Sequence, residues 1–139
     1  MTKDEELTKY MTLIEQYKEQ MSSLETQSSY IQAAVADYNK AKITIENLSK
    51  TSKGEEILLP IGGSTFIKAA TIDSSQVLFD VGAGVVTEKS TEDAIKNIDK
   101  RLEDLQKTQE RLLEMMQNLQ NEAAEISQKA QKLISEGKK

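Results

Sequence analysis

Few side chains in this sequence can make or break a covalent bond. It has no His and no Cys, which removes imidazole proton transfer, thiolate nucleophiles and the usual zinc ligands. Carboxylates and lysines remain, but acid–base work by carboxylates alone needs a shaped cavity. Aromatic residues, at 4% and without a Trp, provide little lining for one. Val81-Gly82-Ala83-Gly84 has the opening of a dinucleotide fingerprint. Its third glycine would fall at position 87, which is Thr, and β-branched residues follow where a helix should begin. Asn47-Leu48-Ser49 matches a glycosylation acceptor with no signal-like segment before it, and is read as coincidence. A net charge of −5 opposes a nucleic-acid surface. No apolar run approaches the ~18 residues of a membrane span, and without cysteine there is no disulfide framework. The composition predicts a soluble, cytoplasmic, non-enzymatic protein that uses no cofactor or metal. The chemistry left to it is association through apolar surface.

Glycine and proline divide the elements that would carry such surface. They occur only as Gly54, Pro60, Gly62, Gly63, Gly82, Gly84 and Gly137. Residues 1–53 and 85–136 therefore lack both, and are rich in good helix formers. Alternate steps of three and four from Leu7 reach Tyr10, Ile14, Tyr17, Met21, Leu24, Ser28, Ile31, Val35, Tyr38, Lys42 and Ile45; ten of these twelve are apolar or aromatic. The same walk from Ile95 through Leu133 is apolar at eleven of twelve, Gln109 excepted. Uninterrupted heptads of this length predict a left-handed coiled coil. The two seams have equal spans, so folding back antiparallel puts Leu24 opposite Met116. Ser28 and Gln109 then fall in neighbouring layers, either as tolerated core defects or as a device that penalises slipped registers. Gly54 is read as the end of the first helix and Ser90-Thr91-Glu92-Asp93 as the cap of the second. Acidic Asp4, Glu5 and Glu6 open the first helix, while Lys129, Lys132, Lys138 and Lys139 close the second, each sign matching its helix dipole.

The intervening block is rich in Val, Ile, Thr and Gly and reads as four short strands. Ile57-Leu58-Leu59 and Thr65–Ile72 flank the turn Ile61-Gly62-Gly63-Ser64; Gln76–Val81 and Val85–Lys89 flank Gly82-Ala83-Gly84. Alternation is poor: Phe66 and Ile72 share one face while Ile67 takes the other, and Val77, Phe79 and Val81 are opposed by Leu78. Strands apolar on both faces need cover on both. So small a sheet cannot supply that itself, which predicts oligomerisation through a shared sheet or barrel. The fold class is thus α+β: a long antiparallel coiled-coil hairpin joined by two β-hairpins that oligomerise. The chain is expected to be one domain, 1–139, with a helix in 1–53, the hairpins in 55–89 and a helix in 90–139. Assembly is assigned to Ile57, Leu59, Phe66, Ile67, Ile72, Val77, Leu78, Phe79 and Val81.

Helix, two hairpins and matching helix resemble the α subunits of the prefoldin family. Leu59-Pro60-Ile61-Gly62-Gly63-Ser64-Thr65-Phe66 and Val81-Gly82-Ala83-Gly84-Val85-Val86-Thr87-Glu88-Lys89 look like that family's hairpin sequences. The resemblance implies a hexamer with two α and four β subunits, whose hairpins form a β-barrel platform carrying six coiled coils. It also implies a chaperone that holds unfolded or nascent proteins at distal coiled-coil tips without ATP and passes them to a group II chaperonin. Neither nucleic acid nor membrane is an expected partner. Apolar residues near the expected free ends, Leu7, Tyr10, Met11, Leu13, Ile14, Ile126, Leu133 and Ile134, are the client-binding candidates. A coiled-coil spacer that binds one folded partner is the rival reading.

Overall fold

Two long helices make up most of the chain in the computed structural model, which describes residues 2–137. Helix α1 runs Lys3–Leu48 and helix α2 runs Thr91–Gly137. Thr2 opens α1 with a reciprocal cap: its hydroxyl accepts from the Glu5 N–H at 3.2 Å, and its own N–H donates to the Glu5 carboxylate at 3.4 Å. Asp4, Glu5 and Glu6 fill the first turn as expected. The end of α1 differs from the expectation, falling at Leu48 rather than at Gly54. Side chains explain the early stop. The Ser49 hydroxyl donates to the Glu46 carbonyl at 2.7 Å and the Thr51 hydroxyl to the Leu48 carbonyl at 2.6 Å, satisfying carbonyls that a longer helix would have bonded. Gly54, at φ +85°, instead turns the chain toward the first hairpin, and its N–H donates to the Thr71 carbonyl at 2.7 Å.

Helix α2 is capped where the sequence places the cap, with the Ser90 hydroxyl accepting from the Asp93 N–H at 3.1 Å. Its last turn carries no basic residue. Lys129 and Lys132 stand earlier in the helix, and Lys138 and Lys139 lie outside the described residues.

The chain separates into two compact units, one made of helical residues up to Ala34 and from Leu105, the other of Val35–Asp104. In the first unit, α1 and α2 lie antiparallel along the heptad seam. Leu24, Leu105, Leu112 and Ala130 are its buried apolar residues, and every other seam position from Leu7 to Met21 and from Met116 to Leu133 is half-buried. Ser28, 7% exposed, is buried among them. Gln109 Nε2 donates to Ser28 Oγ at 2.7 Å, so the two polar seam residues meet across the helices. Gln109 Oε1 is buried with no hydrogen-bond partner.

In the second unit the seam continues through Val35, Tyr38 and Ile45 against Ile95, Ile98 and Leu102, with Ile98 buried. Lys42, the other polar seam residue, reaches Asp99 at 2.6 Å. That carboxylate, accepting its hydrogen bond, raises the Lys42 pKa above the usual lysine value against an opposing desolvation. Four strands follow α1: β1 Glu56–Gly62, β2 Thr65–Ala70, β3 Gln76–Gly82 and β4 Val85–Ser90. They form two separate antiparallel pairs, β1–β2 and β3–β4. The β1 strand runs on through Pro60 to Gly62, beyond the expected end at Leu59. Pro60 is accommodated opposite Phe66 just before a bulge at Ile61.

The two hairpins repeat each other at an interval of 20 residues. Glu56↔Ala70 in the first corresponds to Gln76↔Ser90 in the second, Leu59↔Ile67 to Phe79↔Thr87, and Gly62↔Thr65 to Gly82↔Val85. Both ladders bulge between equivalent residues, Pro60/Gly62 and Asp80/Gly82. Both close with two-residue turns whose central residues have positive φ, Gly63 (56°) and Ser64 (57°) against Ala83 (52°) and Gly84 (76°). Two positive φ values are what the hairpin turn matching strand twist requires. Strand β2 ends at Ala70, so Ile72, expected within it, lies in the connection and is 83% exposed. There the Ser75 hydroxyl and backbone N–H both donate to Asp73 Oδ1, at 2.6 and 2.9 Å, holding that carboxyl below its ordinary pKa.

Candidate functional site

The hairpins present apolar side chains to solvent on both faces. Residues opposite one another across an antiparallel ladder share a face. In the first hairpin one face therefore holds Ile57, Leu59, Ile67 and Ala69, all apolar, with Thr65 at its turn end. The other holds Leu58, Pro60 and Phe66 together with Glu56 and Lys68, which approach to 4.0 Å. In the second hairpin Val77, Phe79, Thr87 and Lys89 share a face. The Lys89 ammonium sits 5.6 Å from the Phe79 ring centre and shields that aromatic from above. Leu78 and Val86 stand on the opposite face with Asp80 and Glu88. Of the assembly candidates, Ile57, Val77 and Phe79 are half-buried, while Leu59, Phe66, Ile67, Ile72, Leu78 and Val81 are exposed. Val81 is the bulge residue of its strand, which the alternation pattern does not reveal.

In the helical unit formed by residues up to Ala34 and from Leu105, an apolar groove of about 640 Å³ runs beside the seam. One wall is Ile14, Tyr17 and Met21 from α1, with Lys18 and Glu25 on the rim; the other is Leu113, Met116, Leu119, Ala123 and Ala124 from α2, interspersed with Gln117, Gln120 and Ser127. A second groove, about 430 Å³, includes Leu24, Met115 and Leu119. Leu113 and Met115 are 52% and 51% exposed and each stands one residue off the seam. They widen the apolar stripe of α2 beyond what a two-stranded seam uses. Of the expected client-binding residues, Ile14 lines the larger groove and the others do not. Leu7, Tyr10, Leu13, Ile126 and Leu133 are half-buried along the helices, and Met11 and Ile134 are exposed. The signal for the groove was present in the sequence as Leu112-Leu113 and Met115-Met116, apolar pairs in which one member exceeds the heptad.

Among the described residues no group of His, Cys, Asp or Glu is arranged to hold a metal ion. No helix there is long and apolar enough to cross a membrane.

The family model for a prefoldin subunit matches residues 17–136, from within α1 through both hairpins to the last turn of α2. This chain belongs to the prefoldin family. Among its prefoldin relatives is the α subunit of Methanopyrus kandleri, 29% identical over 69 residues, covering 50% of this chain and 44% of that protein. The α subunit of Pyrococcus horikoshii is 37% identical over 70 residues, covering 50% and 47%. That of Methanococcus aeolicus is 30% identical over 99 residues, covering 71% and 67%. The matched segments span about half the length of the first two relatives. Among solved structures, filamentous PFD from Methanocaldococcus jannaschii aligns with a TM-score of 0.59 over 90% of this chain and 98% of that one, at 22% identity. At that identity the likeness concerns the fold. Two helices joined by two hairpins are thus the prefoldin arrangement, and the α subunits are the relatives to which the sequence is similar.

Proposed function

We propose that this chain is a subunit of an ATP-independent chaperone that assembles through its hairpins and holds non-native proteins on its helices. The observation that carries the reading is exposed apolar surface of two kinds. The hairpin faces offer Leu58, Leu59, Phe66 and Leu78 on short strands that present unpaired edges. The groove beside the seam is open and mostly apolar, with the adaptable side chains of Met21 and Met116 in its lining, suited to side chains of varied shape. Partner subunits of β type cover the hairpin faces in this reading, with two α and four β chains in the complex. A group II chaperonin receives the client.

Energetics favour several weak arms over one strong site. Burying about 300 Å² of client apolar surface in one groove is worth about 7 kcal/mol at ~25 cal/mol/Å². Association costs of ~4–15 kcal/mol consume most or all of that. A single arm holds briefly, and several linked arms gain through effective concentration. Release then needs competition rather than hydrolysis.

The test mixes the full chain with a β-type subunit and follows light scattering of several unrelated denatured proteins without nucleotide. Suppression across the set supports the reading. Failure to protect any of them, together with tight binding of one folded protein, would establish a spacer instead.

A further inference from the structure

We infer that the larger groove selects client segments able to form an amphipathic helix, which lie along α1 and α2 as a third helix. The inference rests on the client-holding reading and names the class of segment that fits.

Four features point to a helical occupant. The α1 wall runs from Ile14 to Glu25, about 16 Å at ~1.5 Å per residue, or three helical turns. A groove between two helices presents side chains, because the helices' own backbone groups are bonded internally. An extended ligand laid there would lose water from its N–H and C=O groups and gain no partners, whereas a helical ligand satisfies its own backbone. The small residues Ala123 and Ala124 on the α2 wall allow close approach of a third backbone, and exposed Leu113, about 15 Å earlier along the same helix at ~1.5 Å per residue, supplies the apolar flank that a bundle helix carries and a two-stranded seam lacks.

The fourth feature is charge. Lys18 and Glu25 border the groove seven residues apart, one heptad, and among the described residues neither has an ion-pair partner. They complement a ligand helix bearing an acidic and a basic residue one heptad apart on its flank.

The experiment uses the full chain assembled with its β-type partner and two fluorescein-labelled peptides of about 18 residues and identical composition. One has leucines at heptad spacing with a Glu and a Lys one heptad apart; the other has the leucines alternating at strand spacing. Anisotropy should show the heptad peptide binding at least about tenfold tighter, with a gain of far-UV helicity on binding. Leu113→Glu, at an exposed position that leaves the seam intact, should weaken it about tenfold. Lys18→Glu should weaken it several-fold, and a peptide with Lys in place of its Glu, so that both flank residues are basic, should recover the loss. Equal affinity for both peptides, or indifference to Leu113→Glu in a complex of unchanged helicity, overturns the inference. If the parent complex nevertheless suppresses aggregation, the holding function stands and only the helical selectivity falls. If the parent complex neither suppresses aggregation nor binds either peptide, both fall.

Discussion

Removing either member of the Ser28–Gln109 pair should change stability with opposite signs. Ser28→Ala deletes the acceptor of the 2.7 Å bond from Gln109 Nε2. The amide would then be unpaired at its nitrogen as well as at Oε1, which already lacks a partner. Leaving a buried polar group unsatisfied costs about 1–3 kcal/mol, and the better helix propensity of Ala returns about 0.5. A net loss of about 1–2 kcal/mol is expected. Gln109→Leu removes the orphaned oxygen and the donor together and adds apolar surface to the seam. The Ser28 hydroxyl can then donate to a carbonyl of its own helix. With ~1.5–3 kcal/mol available from full burial of a Leu side chain, and Gln109 only half-buried, a gain of about 1 kcal/mol follows. The double variant Ser28→Ala/Gln109→Leu should be the most stable of the set. Urea unfolding followed by far-UV circular dichroism, at one fixed chain concentration, measures all four proteins and gives the coupling between the sites. A Gln109→Leu variant less stable than the parent by 1 kcal/mol or more, roughly the worth of a net hydrogen bond, would refute the reasoning. It would mean that Oε1 is satisfied, for instance by a buried water.

Cysteines introduced at Leu24 and Met116 should form a disulfide within one chain on oxidation, read as a monomer on a non-reducing gel; crosslinks only between chains would mean that the helices pair between subunits. Phe79→Asp should lower the mass of the assembled complex while far-UV helicity persists, and an unchanged mass would remove the hairpins from the interface. Ser90→Ala should cost about 0.5–2 kcal/mol through loss of the α2 cap, and a Ser90→Asp variant should retain most of the stability. The Lys42–Asp99 contribution, from a lysine whose pKa is raised, is fully present below its unfolded value and is lost as pH rises through the higher folded one. Lys42→Met should therefore show a shallower fall in melting temperature than the parent between about pH 10 and 12.

The seam was legible in the sequence because burial in a coiled coil follows one period. All twenty-four positions reached by the three-four walk are buried or half-buried, including Ser28, Lys42 and Gln109, which were kept on it by spacing alone. Spacing could not tell how those polar residues are satisfied, since Lys42 finds Asp99, a residue off the seam. The end of α1 was misplaced because Gly54 is a strong terminator by type, whereas Ser49 and Thr51 stopped the helix first through hydrogen bonds back to its carbonyls. The 20-residue repeat went unseen for a different reason. Across equivalent positions from Glu56/Gln76 to Thr71/Thr91 only Leu58/Leu78, Gly62/Gly82 and Thr71/Thr91 keep the same residue. What repeats is a backbone requirement, a bulge followed by two positive φ values, that different side chains can meet. The groove escaped because Leu113 stands one residue off the seam, where following only the heptad period assigns it no role.

Ser90 ends β4 and caps α2, so no spacer separates the last strand from the helix that begins at Thr91. The opposite junction is different: seven residues, 49–55, intervene between Leu48 and the start of β1 at Glu56. In mechanical terms one joint is welded and the other is a strap. A rotation at the start of α2 passes directly into β4, whereas a rotation of α1 must pass through the 49–55 segment, whose Gly54 and Glu55 are tied to Thr71 by backbone hydrogen bonds. Of the two hairpins, the second is therefore the one whose orientation is geared to its helix.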